Sequence, residues 1–93
     1  MDEIFDSLAN PHRRKILYLL SIKMSVGKIM AELPLSQPTV SSHLSLLRKA
    51  GLVSFEIKQR ERLYFLNQEG LLKMKKSFDE LVEHVLDIRV RMR

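Results

Sequence analysis

Cysteine is absent from all 93 residues, and that one absence excludes disulfides, thiolate metal sites and cysteine nucleophiles together. No apolar run approaches the roughly 18 to 20 residues of a membrane span, so no membrane insertion is expected. The first residues, Met1-Asp2-Glu3, are acidic where a secretory signal is basic. A Gly-rich phosphate loop is missing, and the three histidines are scattered without the spacing of a nucleophile and its base. Enzymatic chemistry and a bound cofactor are therefore not expected. The length leaves room for one small domain covering residues 1–93. Hydrophobic residues at 45% and charged residues at 29% are an ordinary globular balance rather than that of a disordered chain.

Acidic residues are scarce in one stretch. The net charge is +5, with residues 1–11 at −3 and residues 12–49 at +6, where Glu32 alone opposes Arg13, Arg14, Lys15, Lys23, Lys28, Arg48 and Lys49. Such a segment gives one part of the fold a positive field suited to a polyanion, or simply a solvated surface.

The hydrophobic spacing predicts a mainly α fold of about five helices with one β-hairpin. Ile4, Phe5 and Leu8 mark a short first helix that Ala9-Asn10-Pro11 ends. Asn10 is suited to cap a second helix with Pro11 at its first position, and Ile16, Leu17 and Leu20 form its apolar stripe, with Tyr18 beside them. His12, Arg13, Arg14 and Lys15 crowd the first turn of that helix, where the helix dipole disfavours cations; contact of Arg13 and Arg14 with phosphate would offset that cost. Ser25 caps a third helix carrying Val26, Ile29, Met30 and Leu33, which Pro34 stops. Ser36 caps a fourth helix running to about Ala50, with Gly51 at the position that favours a left-handed residue. Two helices joined by so short a connector form a helix-turn-helix.

From Leu52 the period falls to two. Val53, Phe55 and Ile57 predict a half-buried strand, and Leu63 and Phe65 a second one, with Gln59-Arg60-Glu61 turning the chain into a wing. The last helix, from about Gln68 to Met92, repeats Leu71, Met74, Phe78, Leu81, Val85, Ile88 and Met92 at alternating steps of three and four, beside a second stripe of Val82, Leu86 and Val90. That seam predicts pairing with the same helix of a second copy.

On the fourth helix Val40, Leu44 and Leu47 must face the core, which turns Pro38, Ser41, Ser42, Ser45 and Lys49 outward with Gln37 and Arg48 at the edges. Serine is a poor helix former, so three on one exposed face suggest a use. Small and polar side chains let a helix enter a major groove about 12 Å wide. Gln37, Thr39, Ser41, Ser42 and Ser45 are the candidate base readers, with Gln37 able to pair with adenine. Ser36, Arg48 and Lys49 are candidates for the phosphate backbone, as are Lys58, Arg60 and Arg62 of the wing.

At these residues the sequence resembles the ArsR-type (ArsR/SmtB) winged helix repressors of bacteria and archaea. The resemblance is carried by Leu8 to Leu17, by Leu35-Ser36-Gln37-Pro38-Thr39-Val40-Ser41-Ser42-His43-Leu44, by Leu47 to Val53 and by Tyr64-Phe65-Leu66-Asn67. It departs at the wing, where Gln59 stands in place of the family's common Gly before Arg60. The resemblance implies a homodimeric, cytoplasmic repressor, nucleoid-associated when bound to DNA, that binds an imperfect palindrome in double-stranded DNA and in some cases represses its own operon. It also implies dimerisation through the first and last helices, hence through Ile4 and Phe5 together with Leu71, Met74, Phe78, Leu81, Val85 and Ile88.

Metal-sensing members carry a Cys-x-Cys whose positions are Ser25 and Gly27 here. A second type of site uses Asp-x-His, which falls on Leu71 and Lys73; His84 and Asp87 match only its other half, so no metal is expected. His43 is expected to pack rather than ligate. An alternative reading is a protein-interaction module whose long last helix docks a sequestering partner, and a protein partner that relieves repression is compatible with either reading.

Overall fold

The computed structural model of the protein describes residues 2–91, and the side chains of residues 3–87. Five helices and two strands follow one another as α1 (Asp2–Leu8), α2 (Pro11–Leu19), α3 (Val26–Glu32), α4 (Gln37–Lys49), β1 (Val53–Lys58), β2 (Glu61–Leu66) and α5 (Gln68–Arg91). Each helix start has a local cause. The Asn10 side chain accepts from the backbone N–H groups of His12 and Arg13 ahead of Pro11, Ser25 accepts from that of Lys28, and Ser36 from that of Thr39. These oxygens satisfy donors that have no partner within the helix.

The end of α4 is a Schellman turn. Gly51, at φ 79°, donates to the carbonyl of Arg48 at 2.9 Å, and Leu52 donates to that of Leu47 at 3.0 Å. Leu47 and Leu52 are both fully buried, which supplies the hydrophobic contact that goes with this motif. The chain then enters β1 directly from the core.

Ile16 and Leu20 of the α2 region, Ile29 and Leu33 around α3, and Val40, Leu44 and Leu47 of α4 form the core together with Leu52, Val53 and Tyr64. The helical spacing placed these faces correctly, with one exception. Tyr18 is 82% exposed, because one step of 100° past Leu17 carries it off the apolar stripe and into solvent.

The hairpin corrects the strand reading in three places. The register pairs Val53 with Leu66, Phe55 with Tyr64 and Ile57 with Arg62, so those six side chains share one face. Only the base of that face meets the core: Tyr64 is buried and Ile57 is 70% exposed. The apolar alternation through Ile57 therefore marks a strand but not its burial, since the wing leaves the core before reaching Ile57. On β2 it is Tyr64, not Leu63 or Phe65, that points inward, because the register sets Tyr64 on the face of the buried Val53; the backbone of Tyr64 also pairs with Met24. Met24 N–H donates to the Tyr64 carbonyl at 3.0 Å and Tyr64 N–H to the Met24 carbonyl at 2.8 Å, a one-residue third strand. Third, Glu61 belongs to β2; the turn is Gln59-Arg60 alone, at φ 52° and 65°. Positive φ at both central residues defines the hairpin turn whose twist matches the strands.

On the opposite face of the wing Lys23 bridges to Glu56 at 3.0 Å and lies 5.3 Å from the centre of the Phe65 ring. Helix α5 begins where Asn67 accepts from Gly70 N–H and donates its own N–H to the carbonyl of Leu52. A Cβ on Gly70 would overlap the carbonyl of Gly51, so the start of α5 rests on the end of α4 backbone to backbone. Beyond this junction α5 extends along the molecule, whose extents are 58 × 25 × 18 Å.

Candidate nucleic-acid interface

A cleft of about 500 Å³ opens between α4 and the wing. Gln37, Ser41, Ser45 and Arg48 line one wall, one turn apart along α4, and Arg60 and Arg62 come from the wing. The helix side is uncharged until its last turn; the wing side is basic, with Glu61 as the acidic residue in the lining. Such a cleft offers hydrogen-bonding groups along the helix and positive charge at its borders, the division of labour expected between reading bases and holding phosphates.

The remaining candidates are placed elsewhere. Ser42 is exposed on α4 but outside this cleft, and Thr39 is half-buried, its hydroxyl within 2.9 Å of Ser36 Oγ in the capping turn. Lys58 is exposed at the end of β1. Lys49 lies on the far side of α4, near Glu3 and Asp6 of α1 and beside Glu69 at the start of α5.

Arg13, half-buried, and Arg14, exposed, both donate to carbonyls of the chain itself. Arg13 Nε donates to the Ser7 carbonyl at 2.6 Å and its Nη2 to the Asp6 carbonyl at 2.9 Å; Arg14 Nη1 donates to the Leu8 carbonyl at 2.6 Å. These oxygens end α1, so both arginines cap the negative end of that helix. The cations at the start of α2 thus have a partner that the sequence reading did not consider. The third nitrogen of Arg13, Nη1, lies 3.3 Å from His43 Nδ1 on α4. Arginine can only donate, so Nδ1 of His43 is the acceptor and the ring is neutral. Burial, the Arg13 guanidinium and the His12 ring hold the pKa of His43 below its ordinary value. The two rings stand 6.2 Å apart, and His12 Nδ1 is buried without a hydrogen-bond partner among the described residues.

The apolar seam of α5 divides in two. Leu71 and Met74 pack against the chain's own core, and Phe78 meets Phe5 of α1 edge to face at 4.8 Å. Ile4 is half-buried at the junction of α1 with α4 and α5. Farther out Leu81, Val82, Val85 and Leu86 are exposed. Ile88, Val90 and Met92 of the expected stripes lie outside the residues whose side chains are described. Among the described residues no three His, Asp or Glu side chains gather as a metal-ligand set, and no helix is long and apolar enough to cross a membrane.

A capped helix presenting hydroxyls and an amide, set across a cleft from a basic hairpin, is the construction of a winged-helix DNA-binding regulator. The comparisons agree and narrow the class. The pattern of the bacterial regulatory protein arsR family matches residues 10–54. An uncharacterised HTH-type transcriptional regulator of Methanocaldococcus jannaschii is 38% identical, over 85% of this chain and 91% of its own length. The transcriptional repressor SdpR of Bacillus subtilis is 37% identical over 72% of this chain and 76% of its own. The solved structure of an ArsR-like transcriptional regulator from Rhodococcus sp. RHA1 superposes with a TM-score of 0.83 at 27% identity, covering 96% of this chain and 82% of that one. The chain belongs to the arsR family of transcriptional regulators, which are DNA-binding proteins and not enzymes.

Proposed function

We propose that the protein is a homodimeric, cytoplasmic repressor whose residues 1–93 act as one domain that binds an imperfect palindrome in double-stranded DNA. Each protomer presents α4 to the major groove, with Gln37, Ser41, Ser42 and Ser45 toward base edges and Thr39 beside the cap. The wing follows the neighbouring backbone through Lys58, Arg60 and Arg62, while Ser36 and Arg48 stand at the two ends of the helix; Lys49, on the far side of α4, is left out of the contact. Arg13 and Arg14 serve this interface by holding α1 and α2 in place rather than as free phosphate ligands.

The cleft carries the reading: α4 and the wing line it, with Val26, Gly27 and Met30 of α3, and its lining holds three arginines against one carboxylate. A second copy is supported by the exposed outer part of α5, where Leu81, Val82, Val85 and Leu86 form an apolar strip that a single copy leaves in solvent. Repression is supported by the similarity to a named transcriptional repressor; a named transcriptional activator of Vibrio cholerae is also similar, and the reporter below separates the two.

Titration of the protein into a labelled duplex of its own upstream DNA, with scrambled DNA as control and across a salt series with and without chelator, tests this. Tight binding to the upstream duplex that falls steeply with salt and ignores the chelator is expected. Equal, weak binding to both duplexes would overturn the reading. Joint replacement of Ser41 and Ser42 by Ala is expected to weaken binding to the upstream duplex more than to the control, and a reporter fused to that promoter distinguishes repression from activation.

A further inference from the structure

Phe55 belongs to neither the hydroxyl face of α4 nor the wing turn, yet it touches both walls of the cleft. Its ring lies on the inner face of β1, opposite Tyr64, with the ring centres 5.4 Å apart. The guanidinium carbon of Arg62 stands 4.4 Å from the centre of the Phe55 ring and that of Arg48 stands 5.1 Å from it. Arg62 comes from the wing, two residues before Tyr64, whose hydroxyl lies 3.5 Å from Arg62 Nη1. Arg48 comes from the last turn of α4. Neither arginine forms an ion pair among the described residues.

The juxtaposition is uneven in charge. Two cations share one aromatic ring and repel each other; the ring's quadrupole attracts both, and the Tyr64 hydroxyl accepts from Arg62, but no carboxylate among the described residues pairs with either. Both face the cleft, where a phosphodiester oxygen would supply the missing negative charge. The register explains why this ring is available. The two-residue turn makes Lys58–Glu61 a hydrogen-bonded pair, so the alternation down the ladder makes Phe55–Tyr64 a non-bonded one with its side chains closest together. Tyr64 fills the core side of that pair, which leaves a face of Phe55 for cations.

We propose that Phe55 is a positioning residue of the DNA interface: its ring holds Arg48 of the reading helix and Arg62 of the wing toward the same cleft, so that both elements engage the DNA phosphodiester backbone as one unit. This rests on the DNA-binding reading above.

Phe55→Leu keeps an apolar side chain and removes the π face, while Phe55→Tyr keeps the face. Binding to the upstream duplex is followed across a salt series, with a thermal melt of each variant. The expected result for Leu is about a tenfold loss of affinity, with the slope of log K against log salt shallower by about one to two as phosphate contacts are lost; Tyr is expected to restore both. In an Arg48→Gln, Arg62→Gln background, Phe55→Leu is expected to cost nothing further, because the ring acts through those two side chains. Loss of affinity with an unchanged slope, or an equal loss in the double-Gln background, would show that Phe55 only fills space and would overturn the proposal. If the Leu variant does not fold, Phe55→Met takes its place under the same criteria. Steep, sequence-dependent binding by the wild type with no effect of Phe55→Leu sinks the Phe55 assignment alone. Absence of salt-dependent binding by the wild type sinks the DNA-binding reading itself.

Discussion

Arg13 shows how one side chain can tie three helices together: it stands on α2, donates to two carbonyls that end α1 and donates a third hydrogen bond to His43 on α4. Arg13→Ala is expected to destabilise the fold by about 1–3 kcal/mol, since it leaves polar groups on two other helices without partners, as read by urea unfolding. The variant should leave the slope of log K against log salt unchanged, whereas Arg60→Gln should lower it by about 0.9 for one lost phosphate. His43 adds a pH dependence. The hydrogen bond from Arg13 requires the neutral ring, and the folded pKa is depressed, so the unfolded chain binds the proton more readily. This contribution is complete above the unfolded value of about 6.5 and is lost as pH falls through the lower folded value. Melting temperature is therefore expected to fall between pH 7 and 5 by more in the wild type than in His43→Gln, whose amide oxygen can accept from Arg13 at any pH. Equal slopes would refute this. Sequence reasoning anticipated that the cations at the start of α2 have a use, and looked for it in phosphate. It missed which partner, because the carbonyl oxygens that end α1 are backbone groups with no signature of their own.

At the scale of elements, legibility followed the strength of the local signal. Asn10, Ser25 and Ser36 begin helices and Gly51 ends one because capping chemistry depends on a few adjacent residues. The wing was harder. Its turn carries Gln59 and Arg60 in the left-handed region, where Asn or Gly is the usual signal, and the inward side of β2 was decided by its register against β1. Gly70 carried only a faint signal, a glycine in the first turn of a helix. Its reason is tertiary, because the Gly51 carbonyl occupies the place of a side chain. The two glycines therefore predict different costs. Gly51→Ala meets open space but keeps a left-handed backbone, so about 1–2 kcal/mol is expected. Gly70→Ala forces backbone apart and is expected to cost about 3 kcal/mol or more, with α5 displaced from α4. Chemical denaturation of both variants checks the order, and the reverse order would refute the close-approach account.

Seen as a whole, the molecule is a small core from which one helix projects. The heptad spacing of α5 was legible along its length, but not its division of labour: Leu71, Met74 and Phe78 are used within the protomer, and Leu81 and Val85 are left in solvent. Periodicity shows which side chains share a face and is silent on which chain covers that face. Val85→Glu is accordingly expected to give a folded monomer with weakened operator binding, whereas the same change at Met74 is expected to impair folding. A stable Val85→Glu dimer on a sizing column would remove the outer seam from the interface. The Met24–Tyr64 bridge has a consequence for the order of folding. It closes a loop that contains α3, α4 and β1, so the entropy of bringing its ends together is recovered only when the enclosed helices are already packed. The base of the wing is thus part of the helical core rather than an appendage to it. Probes on the hairpin and probes on α3 or α4 are expected to report one coincident melting transition.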